Sequence, residues 1–404
     1  MPLSLDGVGG RLGSRLPWRV TLDAGLREVA HASLRRVAEG LQRRASDAPR
    51  VADGDVALFF GYLALETREQ RWADQCRLHM ASAFEAAAEP SQLPSLLGGY
   101  VGVAWTAEHL ARLGVIHTDA RIEMLDERLA QCLDVEDWNG NFDLPTGLVG
   151  IAVYGLELRD AARKSQIVSR AVEHLERLAI VRREGVSWWT LPRFLSAQAL
   201  RQRPNGHVDL GLAHGVPGVL SLLARADDAG FGGAPIRSLL REGLKWTLAQ
   251  AIREGGGDAI ALPHHVAPNV PPVPARTAWC HGNPGAALAL TTAARAVGDV
   301  EAEKVFARMA RTVASVEPQV SGLRDRFFCH GAAGVAHTFQ RLFALTEDPA
   351  FEDAARQWYG LAIPGVPPRE SRTLRAGAAG IGLMLLAATS VREPSWDRVL
   401  LCSV

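Results

Sequence analysis

No charge excess of either sign marks this 404-residue chain, in which 44 lysines and arginines face 44 aspartates and glutamates. That balance excludes the basic footprint of a nucleic-acid binder and a polybasic surface for anionic membranes. Long apolar runs are missing as well. The longest, Val56 to Leu65, holds about ten residues, whereas a bilayer span needs about twenty. The opening stretch MPLSLDGVGGRLGSRLPW lacks the continuous apolar core of a secretory signal. Cysteine is scarce: five residues, at 76, 132, 280, 329 and 402, are too scattered for a disulfide framework. Scattered cysteines of this kind serve as metal ligands, catalytic groups or buried fillers. The expected compartment is the cytoplasm, with no nucleic-acid partner and no membrane insertion. What remains is ordinary globular composition, 48% apolar and 22% charged. At this length the chain is either two domains or one repetitive architecture.

A repeat decides between them. The pattern small-x-x-Gly-x-x-Gly, followed by apolar residues, recurs as LLGGYVGVAW, LPTGLVGIAV, LAHGVPGVLS, WCHGNPGAAL, FCHGAAGVAH and LRAGAAGIGL. The first glycines are Gly99, Gly147, Gly215, Gly282, Gly331 and Gly377; a degenerate copy, DGDVALFFGY, aligns Gly54 but has Ala57 for the second glycine. Differences between these positions are 45, 48, 68, 67, 49 and 46, so two intervals carry about twenty extra residues. Each interval contains one amphipathic stretch. In 299–316, Val305, Phe306, Met309 and Val313 share a stripe, with Glu303, Lys304, Arg308 and Arg311 opposite. Similar stretches lie at roughly 23–46, 69–88, 119–133, 160–181, 234–254 and 348–361. The segments after the glycines are apolar all round, which suits buried helices. Glycine at their start permits close backbone approach and a left-handed turn into the helix.

These features predict an all-α fold: a double-layered α/α toroid of seven helix-pair repeats, a single domain over 1–404. An insertion at about 184–210 and a Pro/Gly-rich loop at about 255–274 fill the two long intervals and are expected to wall the site. VSWWTLPRFL (186–195) and HVDLGLA (207–213) allow short strands.

Aligned on the first glycine, the repeats expose their unusual residues. Two positions before it stand Cys280 and Cys329; one position before it stand His214, His281 and His330. In a toroid these positions meet at the mouth of the inner helices. Two cysteines and a histidine converging there make a three-ligand zinc set with an open fourth position, as in a catalytic site. Two thiolates neutralise the ion and leave a mild Lewis acid, suited to activating a substrate thiol, whose ordinary pKa near 8.5 leaves little thiolate at neutral pH. Cys76, Cys132 and Cys402 read as core fillers. His264 and His265 read as solvated loop residues, and His207 receives no role.

ARTAWCHGNPG with FFCHGAAG, preceded by LGLAHGVPG and DLPTGLVG, resembles the LanC family of lanthionine synthetase cyclases over essentially the whole chain. The resemblance implies zinc held by Cys280, Cys329 and His330, with His214 as the acid/base residue. It implies that Asp143 orients His214 or the incoming thiol. Arg276 would face the substrate carbonyl as negative charge develops. His281 departs from the tyrosine common in bacterial members and resembles the eukaryotic LanC-like branch, associated with glutathione addition. It is either an auxiliary acid/base group or a hydrogen-bonding replacement for the phenol.

The function so implied is addition of peptide cysteine thiols to dehydroalanine or dehydrobutyrine, forming (methyl)lanthionine rings in lanthipeptide biosynthesis. Partners would be a dehydrated precursor peptide (leader plus core), with 184–210 as the leader contact, and a separate dehydratase. A LanC-like thiol transferase adding glutathione, and a non-catalytic peptide-binding scaffold with structural zinc, are the alternatives. A carbohydrate hydrolase would need paired carboxylates, and no Asp/Glu pair occupies the glycine columns.

Overall fold

The computed structural model describes residues 17–42, 48–117, 120–253, 259–319, 321, 323, 325–364 and 371–403. The outer helices among them are α1 (Ala24–Leu41), α3 (Gln70–Ala87), α5 (Arg121–Leu133), α7 (Ala161–Arg177), α10 (Ala234–Ala249), α12 (Val300–Ala314) and α14 (Pro349–Ala362). Each follows the amphipathic stretch expected for it. Four begin on an aspartate whose carboxylate accepts a first-turn amide: Asp23, Asp160, Asp299 and Asp348. Such caps satisfy donors that a helix start leaves unpaired.

The inner helices are α2 (Asp53–Thr67), α4 (Tyr100–Arg112), α6 (Leu148–Glu157), α9 (Val216–Ala226), α11 (Asn283–Val297), α13 (Ala332–Thr346) and α15 (Ala378–Thr389). They are buried along nearly their whole lengths. Each packs against the next, and α15 packs against both α2 and α1, so the two layers close into a ring. The fold is the double-layered helical toroid that the repeat predicts.

Of the two reasons the sequence offers for the glycines, the structure bears out close approach and not the left-handed turn. The six first glycines lie at negative φ in extended backbone, as in Gly147 (φ −126°, ψ −160°), so no left-handed turn is required of them. Their use is close approach. The backbone before α4, α6, α11, α13 and α15 folds back over the first turn: the amides of Tyr100, Leu148, Asn283, Ala332 and Ala378 donate to the carbonyls of Leu93, Asn141, Arg276, Asp325 and Ser371. A Cβ on Gly285 would come within 1.9 Å of the Trp279 carbonyl oxygen, and one on Gly334 within 1.8 Å of that of Phe328. In the degenerate first copy Gly54 lies inside α2, where a Cβ would make only ordinary contact with Val103. No fold-back constrains that copy, which is consistent with Ala57 standing in for the second glycine.

Amide-to-carbonyl bonds tie the repeat mouths together. They run from Leu97 to Pro145 (3.0 Å), Leu144 to Ala213 (3.0 Å), Ala213 to Cys280 (3.0 Å), Cys280 to Cys329 (3.1 Å) and Cys329 to Arg375 (2.8 Å). At the seam between the seventh and first repeats the Leu374 amide donates instead to the Asp55 carboxylate (2.8 Å). The C-terminal segment sits across the other end of the inner helices. Arg225, near the end of α9, donates to the Leu401 carbonyl, Arg398 faces Glu157 at the end of α6, and Trp279 donates to Leu400.

The two long intervals carry short strands: β1 (Ile180–Arg182) with β2 (Gly185–Ser187), β3 (Val208–Asp209) with β6 (His265–Val266), and β4 (Ile252–Arg253) with β5 (Ile260–Ala261); the six-residue helix α8 (Ala197–Gln202) lies between β2 and β3. Thus the Pro/Gly-rich loop, described from residue 259, is strand-paired rather than free, and the β3–β6 pair joins it to the other insertion. No helix among the described residues is long and apolar enough to cross a membrane.

Candidate metal centre and its histidines

The mouth bonds bring Cys280 and Cys329 side by side. With His330 they form a group whose ligand atoms all lie within 4.8 Å of one another. Both cysteines are buried, while His330 is 43% exposed on its side chain, so the group opens to solvent on one side. The Cys329 thiol hydrogen-bonds the Cys280 sulfur and, helped by His330, holds Cys280 down to about 3; burial opposes the shift. Cys329 is correspondingly pushed up by the same bond and by burial. Two sulfurs this close repel each other as thiolates, and a cation between them would relieve that repulsion. That donor set, two thiolates and an imidazole, is one that zinc takes. His330 is itself raised, first by its bond to Cys280, and its Nε2 lies 2.7 Å from Asp325 Oδ2.

His214 stands at the mouth of the next repeat, 32% exposed on its side chain, with Nδ1 2.6 Å from the buried Asp143 Oδ2. The other oxygen of Asp143 accepts from the Thr146 amide (2.9 Å) and hydroxyl (2.8 Å), which fixes the carboxylate. One oxygen of Asp143 thus holds its own loop and the other holds His214. Arg276 reaches Cys280 Sγ with Nη2 at 3.8 Å and is otherwise exposed. Arg375, whose carbonyl accepts from the Cys329 amide, lines a small cavity with Asp55, Leu96, Leu97, Gly98 and Gly99. Arg324, five positions before Cys329 in the sequence, lies outside the described residues.

His281 stacks face to face on His214, ring centroids 4.5 Å apart and planes within 9°. Its other face is covered by His264 at 5.2 Å and 15°. Burial opposes its charge, but the Asp209 carboxylate, 3.2 Å from Nδ1, outweighs burial and holds the imidazolium up to about 9. Asp209 is in turn held well below the usual carboxylate range, its burial outweighed by His281 and His207.

Three placements differ from the sequence reading. His264 and His265 are half-buried rather than solvated: β6 pairs with β3 and presses the loop onto His281. Burial lowers both, His265 to about 4. His207, given no role, is buried with Nε2 3.5 Å from Asp209 Oδ2. Sequence reasoning also missed Asp209 and Asp325. Both stand six positions before the first glycine of their repeats, in a column holding Leu93, Asn141, Arg276 and Ser371 elsewhere. Aligning that column picks them out as a pair but does not show which histidine each faces.

Comparisons with known proteins bear on the family and on the fold. A family model described as "Lanthionine synthetase C-like protein" matches residues 53–401. Among solved structures, one named "Nisin cyclase" superposes with a TM-score of 0.76 at 16% identity, over 94% of this chain and 98% of that chain. A polysaccharide lyase covers 91% of this chain and 97% of its own with a TM-score of 0.46 and 13% identity. No curated protein sequence matches.

Proposed function

Because this chain belongs to the lanthionine synthetase C-like family, we propose that it is a zinc-dependent enzyme that closes thioether rings in a dehydrated peptide. The observation that carries the proposal is the convergence of Cys280, Cys329 and His330 within 4.8 Å, beside the Asp143–His214 pair. Three protein donors leave a coordination position for substrate. Zinc bound there would supply a site for the substrate sulfur as thiolate at neutral pH, kept nucleophilic by its two cysteine ligands.

The protein's own groups account for the remaining steps. Asp143 fixes the ring of His214 through Nδ1, which leaves Nε2 as the proton-carrying atom at the mouth. As the cysteine sulfur bonds to the β-carbon of a dehydroalanine or dehydrobutyrine, the double-bond pair moves toward the adjacent carbonyl. Arg276, exposed beside Cys280, faces the charge that develops there. Nε2 of His214 takes the proton that the thiol gives up and then delivers it to the α-carbon, so the thiol's S–H is added across the double bond with no net loss of atoms. His281 is a second imidazole close enough to share that work. The insertion at 184–210 and the loop at 255–274, joined by β3 and β6, are proposed to receive the peptide and its leader. A separate dehydratase would supply the substrate.

A second reading, addition of glutathione to dehydroamino acids, draws on His281 and on the exposed cations Arg276 and Arg375, which suit an anionic tripeptide. The test of the acid role is His214→Asn. We expect unchanged zinc content and a loss of ring closure of about 10²–10⁴-fold, the usual weight of a general acid. Near-normal turnover would reassign the proton to another group.

A further inference from the structure

Asp209 is a buried carboxylate to which ring closure, as described so far, gives no task. It sits at the end of β3 with its side chain 4% exposed. Its Oδ1 accepts the Gly211 amide at 2.7 Å, which holds the turn into the fourth repeat. Its Oδ2 faces two imidazoles, His281 Nδ1 at 3.2 Å and His207 Nε2 at 3.5 Å. The contact with His281 is an ion pair lying off the straight line of a hydrogen bond. Asp143 divides its oxygens in the same way, one to its own loop and one to His214.

Each pair spans from the approach loop of one repeat to the histidine of the next, although Asp143 stands four positions before its glycine and Asp209 six. Asp143, before the third repeat's glycine, serves the histidine of the fourth; Asp209, before the fourth, serves the histidine of the fifth. Stacking between His214 and His264 fixes the plane of His281 but leaves the ring able to flip within that plane. A charged partner at one edge is needed to decide which nitrogen faces the mouth. A carboxylate buried without such a task would cost stability.

We propose that Asp209 is the positioning residue for His281, turning Nδ1 inward and leaving Nε2 to meet the substrate. It acts through His281 and touches no substrate itself. The inference rests on the reading that His281 takes part in the thiol addition.

A double-mutant cycle on the full-length, zinc-loaded protein tests it. Asp209→Asn keeps an acceptor for the Gly211 amide and removes the carboxylate that orients the ring. Ring closure on a dehydrated cysteine peptide should fall about 10–100-fold, as for outer-shell partners of a site. His281→Gln should fall by at least as much, and the double variant should match His281→Gln alone. Multiplying losses, or an unaffected Asp209→Asn, would overturn the proposal. Should the Asn variant not fold, Asp209→Ser supplies a hydroxyl to the same amide and enters the cycle instead. Nitrogen-15 NMR of the histidines gives a readout independent of turnover. The Nδ1-protonated signal of His281 should persist in the wild type and change in Asp209→Asn with zinc content constant, and an unchanged signal would also overturn the proposal. Wild-type protein that cyclises no peptide would contradict the proposed function, while the NMR comparison would still decide the positioning.

Discussion

Each histidine at the mouth has its own carboxylate: Asp143 for His214, Asp209 for His281 and Asp325 for His330. Such partners orient a ligand or a proton donor, and their loss typically weakens a metal site 10–100-fold. Asp325→Asn should accordingly weaken zinc binding by about that factor, measured by competition with a chelating dye; unchanged affinity would make the contact incidental. Cys280→Ala or Cys329→Ala should leave no stoichiometric zinc by elemental analysis, because two remaining donors hold the ion poorly. Cys76→Ala should bind zinc normally, since Cys76 lies wholly in the core and burial pushes its thiol up to about 12. Full zinc in either of the first two variants would rule out the ligand set. At this scale the two columns before the glycine were readable because cysteine and histidine are rare enough to stand out. Asp209 and Asp325 were not, because aspartate is common in loops and its task depends on a partner distant in sequence.

At the scale of the element, the inner helices depend on glycines that allow backbone to fold onto backbone. Gly285→Ala would drive a methyl group into the Trp279 carbonyl, one residue before Cys280. We expect lower thermal stability and loss of zinc together, whereas Gly54→Ala, with nothing closer than 3.6 Å, should retain zinc. The sequence showed the glycines and two reasons for them: a left-handed turn and a close approach select the same residue, and only the dihedral angles separate them. Asp55 is the other element-scale test. Burial raises its carboxyl from 3.8 to about 6, against the Leu374 amide and Arg375. A carboxyl raised in the fold costs stability as pH climbs from about 4 through about 6, and the cost is full above that. The shift corresponds to at most about 3 kcal/mol, which partial exposure reduces to roughly 1 kcal/mol. Asp55→Asn keeps an acceptor for Leu374, so its melting temperature should gain on the wild type at pH 8 and not at pH 4. An equal difference at both pH values would contradict this.

Across the whole molecule, closure of the ring turns a one-dimensional repeat into a site. Residues 49 positions apart, Cys280 and Cys329, become neighbours only because adjacent inner helices pack side by side. The seven-fold period made this legible before any coordinates. Less legible were the strand pairing that folds the Pro/Gly-rich loop onto His281 and the C-terminal segment seated against Trp279. Both depend on contacts between segments that share no period. The central claim is that this mouth joins a thiol to a dehydroamino acid within one peptide. It is tested most directly by incubating zinc-loaded protein with a dehydrated peptide that carries an internal cysteine, with and without glutathione, followed by mass spectrometry and thiol titration. The account predicts loss of the free thiol with no change in mass, whether or not glutathione is present. A mass gain of one glutathione, with no cyclised product in its absence, would contradict it.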